Sequence, residues 1–192
     1  MRSPTADDIL RGYLEGAFPM DTDGVLDLYV ADPRAVIPLD AFRVPRSVRR
    51  GLRGDRFSVT RDRHFPDVVA SCGGERSGGE WLTPRLARVY EDLFHRGVAH
   101  SVEVLQDGRL VGGLFGVALG GLFTSESMFH TASDAGSAAI VATHAHLVAR
   151  GYRLWDIQMI SPQTARFGAV EMTDSEYREH LRDAFRRRCS FV

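Results

Sequence analysis

The sequence predicts an α+β or α/β domain of three layers. Three observations predict it. First, residues 100–129 read as a meander: His100 to Leu105 alternates, Asp107-Gly108 is a hairpin turn, Arg109 to Ala118 is a second strand, Gly120-Gly121 turns again, and Leu122 to Phe129 is a third strand. Second, a helix follows from about Ser133 or Asp134 to Arg150, closed by Gly151 and rich in small residues, so that it can lie close against a sheet or a ligand. Third, an apolar strand, Leu154 to Ile160, precedes Ser161 to Val170 and an amphipathic helix from about Asp174 whose stripe is Tyr177, Leu181 and Phe185. Strands, helix, strand and helix in that order describe a sheet with helices on its faces.

The N-terminal elements are shorter. Ile9, Leu10, Tyr13 and Leu14 recur at helical spacing behind Thr5 as N-cap, with Asp7 and Asp8 in the first turn. Gly16 and Pro19 stop that helix and leave Phe18 and Met20 available to pack. Val25 to Val30 reads as a strand, and Pro33 and Pro38 restrict the next piece to an edge strand or an irregular extended segment. A short helix is expected over Asp62 to Ala70, a glycine-rich loop over 72–79, and a helix opened by Thr83-Pro84 that runs through Val89, Leu93 and Phe94 to Gly97. The expected division is a small N-terminal domain, residues 1–42, followed by the main domain, residues 43–192.

Composition narrows the function. With 44% hydrophobic and 26% charged residues over 192 positions, the chain is long enough for one well-cored domain, with or without a small appendage. No apolar run approaches the roughly 20 residues that cross a bilayer, and the opening residues lack a signal-peptide pattern, so a cytoplasmic protein is expected. Cys72 and Cys189 are read as free thiols. The net charge of -1 argues against a uniformly basic nucleic-acid coat, yet all 24 basic residues are arginine. They concentrate between Phe42 and Arg63, where Arg46, Arg49, Arg50 and Arg53, with Arg43 before them, recur at helical spacing and no acid stands at that spacing to neutralise them. Such a face is either solvated or suited to phosphate.

The strand 154–160 carries the chemical anomaly. Asp156 is a carboxylate in an apolar segment, which demands a partner or a purpose, and the two-residue period places Gln158 on the same side and Trp155 on the opposite one. Glu126 is a second carboxylate, on the third meander strand, where alternation puts Thr124, Glu126 and Met128 on one face. The seven histidines and two cysteines form no metal signature, no Gly-x-Ser-x-Gly elbow occurs, and a chain without lysine has no phosphate-loop lysine. No metal and no cofactor are expected. A reaction that needs positioning and a carboxylate fits what remains, such as transfer from an activated acyl ester to an amine.

Several collinear motifs then carry a resemblance: GAFPM at 16–20, ADPRAVIPLD at 31–40, FRVPRSVRR, EWLTP at 80–84, GVAHSVEV at 97–104, DGRLVGGLFGVALG at 107–120, SESMF at 125–129 and DIQMISPQTARFGA at 156–169. In these the chain resembles the leucyl/phenylalanyl-tRNA-protein transferase family over nearly its whole length. The resemblance implies a GNAT-like acyltransferase core. It implies transfer of leucine or phenylalanine from an aminoacyl-tRNA to the α-amine of a protein beginning with arginine or lysine, which marks that protein for degradation. The partners it implies are the 3′ end and acceptor stem of charged tRNA and the acceptor N-terminus; a monomer is expected and no membrane.

Carried over by position, Asp156 and Gln158 match the family's catalytic pair and Glu126 an active-site carboxylate. On that reading Asp156 holds the attacking amine and accepts its proton, and Gln158 orients the ester. Met128, Phe123, Leu114 and Ile140 form the side-chain pocket, Tyr29 and Ser127 lie beside the donor, Trp81 stacks on the terminal adenine, and Arg43, Arg46, Arg49, Arg50 and Arg53 meet the tRNA. The chain departs from the family pattern at Leu28 and Tyr29, where two tryptophans are usual, at Ser125 in place of glycine, and at Trp155 in place of a smaller aliphatic residue. Two other readings stay open: an acyl-CoA-dependent GNAT enzyme, and a non-catalytic module that binds tRNA ends or N-degrons.

Overall fold

The structure is a computed structural model that describes residues 5–22, 25–73 and 82–192. In chain order the elements are α1 (Ala6–Leu14), β1 (Phe18–Thr22), β2 (Val25–Tyr29), β3 (Arg34–Val36), α2 (Arg46–Gly51), β4 (Ser58–Arg61), α3 (Phe65–Cys72), α4 (Pro84–His95), β5 (Ala99–Gln106), β6 (Arg109–Leu119), β7 (Leu122–His130), α5 (Ala135–Ala149), β8 (Leu154–Gln158), α6 (Pro162–Ala165), β9 (Val170–Met172) and α7 (Asp174–Phe185). The helix starts follow their caps. Thr5, Thr83, Ser161 and Thr173 each accept a hydrogen bond from the third helical N–H, and at Thr5, Ser161 and Thr173 the third residue's side chain answers back to the cap backbone.

β1 and β2 form a two-stranded hairpin, and the other seven strands make one sheet in the order β4-β5-β6-β7-β8-β3-β9. Every pair in that sheet is antiparallel except β7 with β8, which α5 connects as a crossover. Ile9, Tyr13, Phe65, Tyr90 and Leu93 from α1, α3 and α4 pack with Phe115 and Val117 on one face. On the other face α5 sets Ala135, Ala139, Ile140 and Leu147 against Leu114, Phe123 and Trp155. α7 lies on the first face, with Tyr177 and Leu181 on Leu122 and Leu154. The three-layer α+β arrangement expected from the sequence is the one found.

Three local expectations are corrected. β3 was expected to be an edge strand or an irregular extended segment, but it pairs with β8 on one side and β9 on the other. Pro33 and Pro38 flank its three residues and so remove no ladder donor. This strand precedes the expected boundary after residue 42, so a division there passes through the large sheet. The strand expected over 154–160 stops at Gln158, whose φ of 57° turns the chain out and leaves Met159 61% exposed. The arginine segment forms a helix only over Arg46–Gly51, with Arg43 and Arg53 outside it.

Candidate active site

β7 and β8 are paired only through Leu122↔Leu154, Phe123↔Trp155 and Thr124↔Asp156. Beyond that point residues of both strands line an open cavity of about 690 Å³. Its apolar lining includes Leu114, Met128, Ile140, Trp155 and Ile157, its polar lining includes Ser125, Glu126, Ser127 and Gln158, and Phe18 and Met20 reach it from the N-terminal hairpin.

Asp156 does not line this cavity. It is fully buried, and Arg34 Nε donates to its Oδ1 at 2.9 Å and Nη2 to its Oδ2 at 2.5 Å. Tyr177 Oη donates to Oδ2 at 2.9 Å, and the Gln158 backbone N–H donates to Oδ1 at 2.9 Å. Arg34 is itself fixed: Nη1 donates to the Gly16 carbonyl at 2.9 Å, and the guanidinium lies between the rings of Phe18 and Tyr177 at 4.8 and 4.7 Å. Burial pulls the Arg34 pKa down, but its hydrogen bonds and charge contact with Asp156 outweigh that and hold it above the ordinary range. A carboxylate with four donors and no access to the cavity has no free lone pair to offer an amine, which corrects its expected role as proton acceptor.

What Asp156 does hold is Gln158. The Met159 N–H donates to the Ile157 carbonyl at 2.6 Å, which with the positive φ of Gln158 makes a strained γ-turn, and Asp156 clamps the N–H at its centre. Gln158 lines the cavity, whereas Asp156 does not. Its Nε2 donates to Thr124 Oγ1 at 2.6 Å. Among the described residues its Oε1 has no hydrogen-bond donor.

Glu126 reaches the cavity by a different irregularity. Gly116 pairs with Ser125 and Phe115 with Ser127, so Glu126 is the extra residue of a β-bulge. The bulge shifts the alternation, placing Met128 in the α5-side cluster and overturning the single face expected for Thr124, Glu126 and Met128. Tyr90 Oη donates to Glu126 Oε2 at 2.7 Å, with Tyr13 Oη 3.1 Å further on, and Thr124 Oγ1 donates to Oε1 at 3.2 Å. Thr124 thus links Gln158 to Glu126. Burial raises the Glu126 pKa from 4.5 to about 7, against the lowering effect of its hydroxyl donors. Tyr90 and Tyr13 are pushed up by their own burial and by the Glu126 charge.

Of the other expected site residues, Leu114, Met128, Ile140 and Ser127 line the cavity. Phe123 does not: it is fully buried and stacks on Phe191 at 5.3 Å. Tyr29 stands on β2, 38% exposed and away from the lining, and Trp81 lies outside the described residues. Arg43, Arg46, Arg49, Arg50 and Arg53 are exposed, apart from the cavity, and form no ion pair among the described residues. Trp155, expected on the face opposite Asp156, lines the cavity and donates from Nε1 to Ser125 Oγ at 2.8 Å. Two of the residues expected to depart from the family pattern are thus bonded to each other.

Residues 36–182 match the family model described as leucyl/phenylalanyl-tRNA protein transferase. The chain belongs to that family. A leucyl/phenylalanyl-tRNA--protein transferase of Paramagnetospirillum magneticum is 44% identical, covering 96% of this chain and 90% of its own length. The transferases of that name in Nitratidesulfovibrio vulgaris and Chlorobaculum tepidum are 45% and 40% identical, over 95% and 97% of this chain and 80% and 98% of theirs. A solved aminoglycoside acetyltransferase from an uncultured soil sample is 14% identical over 66% of this chain and 88% of its own, with a TM-score of 0.43, too slight a likeness to argue from.

Sequence reasoning missed Arg34, Tyr177, Thr124 and the pair Tyr13 and Tyr90. The demand of a buried Asp156 for a partner was a signal for Arg34, but the prolines around it disguised the strand that delivers it. The tyrosines differ from ordinary stripe residues only in their hydroxyls, and nothing in the spacing says what a hydroxyl will meet.

Proposed function

We propose that this chain moves leucine or phenylalanine from the 3′ end of a charged tRNA to the N-terminal α-amine of a protein, the acceptor beginning with arginine or lysine and being marked by the transfer for degradation. The observation that carries the reading is the cavity at the β7/β8 divergence, with one apolar lobe and two polar groups, Glu126 and Gln158, linked through Thr124. The apolar lobe suits an aliphatic or aromatic side chain, and no further activation of the donor is needed because an aminoacyl ester is already reactive toward amines.

In the proposed chemistry the amine nitrogen attacks the ester carbonyl carbon, and the bond from that carbon to the ribose oxygen breaks. Gln158 Oε1 accepts a hydrogen bond from the amine and sets its line of approach. Glu126, ionised, takes the proton that the amine sheds and returns it to the ribose oxygen as that oxygen leaves, so charge and protons balance and the carboxylate is regenerated. Asp156 acts through Gln158 and is a positioning residue. The exposed arginines of the α2 segment are proposed to meet the acceptor stem, where phosphate contacts contribute most of the affinity. A cytoplasmic monomer fits this role; among the described residues no helix is long and apolar enough to cross a membrane.

The test is transfer itself. With leucyl-tRNA or phenylalanyl-tRNA and a peptide beginning with arginine, the peptide gains one residue; no gain with either donor, and gain from an acyl-CoA instead, would overturn the reading.

A further inference from the structure

A second depression, of about 360 Å³, opens beside the main cavity and shares Gln163 with it. It is lined by His130, Asp134, Gly136, Ser137, Pro162, Gln163 and Arg166, at the N-terminus of the 15-residue helix α5. Asp134 is the N-cap, in left-handed conformation with φ of 69°, and supplies no side-chain cap. The first-turn N–H groups at Gly136 and Ser137 are therefore left without an acceptor among the described residues. A second feature points the same way: Ser137 is 94% buried, lines the depression, and its hydroxyl has no hydrogen-bond partner among the described residues. An uncommitted hydroxyl on so deeply buried a residue, open to the depression, is free to meet a ligand there.

The donors of this depression outnumber its acceptors. Two backbone N–H groups, the Ser137 hydroxyl, the Gln163 amide and the Arg166 guanidinium meet at a helix N-terminus, whose dipole also favours an anion. Glycine at 136 permits the approach, because a β-carbon there would stand 3.0 Å from Gln163 Nε2 and 3.2 Å from His130 Nδ1. The one carboxylate, Asp134, is packed against Gly51 of α2, where any β-carbon would overlap it. Arg166 Nη2 donates to Ser47 of the same helix at 3.1 Å, so the exposed arginines Arg46, Arg49 and Arg50 continue outward from the depression.

We propose that this depression binds a phosphate group, namely the phosphodiester that joins the terminal adenosine of the charged tRNA to the nucleotide before it. This rests on the transferase reading: the aminoacyl ester enters the main cavity, and its nearest backbone phosphate falls in the adjoining depression. The site then fixes the register of the RNA end, as phosphate contacts do in nucleic-acid complexes generally.

The experiment compares two minimal donors, aminoacyl-adenosine with and without a 5′-phosphate, in the wild-type chain and in Ser137→Ala, Arg166→Ala and the double variant. Arg166 is exposed, so its variant folds even where Ser137→Ala does not. The wild type is expected to use the phosphorylated donor with kcat/KM roughly ten-fold higher, a charge-assisted contact. In the double variant that ratio falls to near one while the rate with the unphosphorylated donor is unchanged. With full-length charged tRNA, Arg166→Ala lowers the salt slope of binding by about one. A wild-type ratio near one, or a ratio that survives in the variants, overturns the proposal. Inhibition by coenzyme A that the same variants relieve would assign the depression to a nucleotide diphosphate and overturn the RNA assignment. If the wild type transfers from neither minimal donor nor from charged tRNA, the transferase reading fails instead.

Discussion

Asp156 and Glu126 stand on paired strands of one sheet, and their surroundings divide them. Asp156 is closed off from solvent and matched by a cation, a tyrosine hydroxyl and a backbone N–H. Glu126 lines the cavity and is matched by hydroxyls alone, Tyr90 and Thr124. A carboxylate locked to a cation is a structural anion, whereas one buried among neutral donors is poised to exchange a proton near neutrality. On the proposed chemistry the difference gives the proton transfer to Glu126, where the family resemblance implied Asp156 for it.

The largest effect is expected from breaking the closed side. Asp156→Ala leaves the Arg34 guanidinium buried and unpaired, which costs about 3–5 kcal/mol in stability. It also frees the turn at Gln158, so transfer should be lost along with a lowered Tm measured by calorimetry. Glu126→Gln breaks the open side: it fills the same space, so Tm holds or rises, while kcat/KM falls by about 10²-fold or more, as for the loss of a proton acceptor. A pattern in which Glu126→Gln unfolds the chain and Asp156→Ala merely slows it would invert the comparison.

Stability against pH sharpens it. The folded-state pKa of Glu126 is about 7 against an ordinary 4.5, so folding favours its protonated form. Its contribution is full below pH 4.5 and is lost as pH rises through 7, amounting to up to about 3 kcal/mol. Denaturant titrations from pH 4 to 8 should show that loss in the wild type and not in Glu126→Gln.

Much of the fold was legible because its signals are local. The turns at Asp107-Gly108 and Gly120-Gly121 delimit the meander, and the Thr-Pro pair at 83 and 84 opens α4 where expected. The site was legible as a set of residues and misread as a geometry. Strand alternation assigned Asp156, Gln158, Trp155, Glu126 and Met128 to faces, but the strand ends in a γ-turn at Gln158 and a bulge at Glu126 shifts the period. The first rests on Asp156, two residues away but itself held by the distant Arg34, and the second on the register with β6, so neither is settled by a short window of sequence.

A smaller effect concerns the apolar lobe. The Trp155 indole is held by Ser125, and both line the cavity. Trp155→Leu should raise the preference for phenylalanine over leucine by about ten-fold in the ratio of kcat/KM, as a larger pocket admits a larger side chain. Ser125→Ala should move the ratio the same way by less. The smallest effect is expected from Tyr90→Phe, which removes a donor that lowers the Glu126 pKa and so shifts the acidic limb of the rate profile upward.

The central claim is that Glu126 is the proton-transferring group of the site and that Asp156 acts by position. Its most direct test is the pH profile of kcat/KM for the wild type, Glu126→Gln and Asp156→Asn, each corrected for the ionisation of the acceptor amine. The wild-type rate should fall as pH drops through about 7, where Glu126 takes up its proton. That limb should vanish in Glu126→Gln and persist, at a lower rate, in Asp156→Asn. A limb that survives in Glu126→Gln, or disappears in Asp156→Asn, would contradict the account.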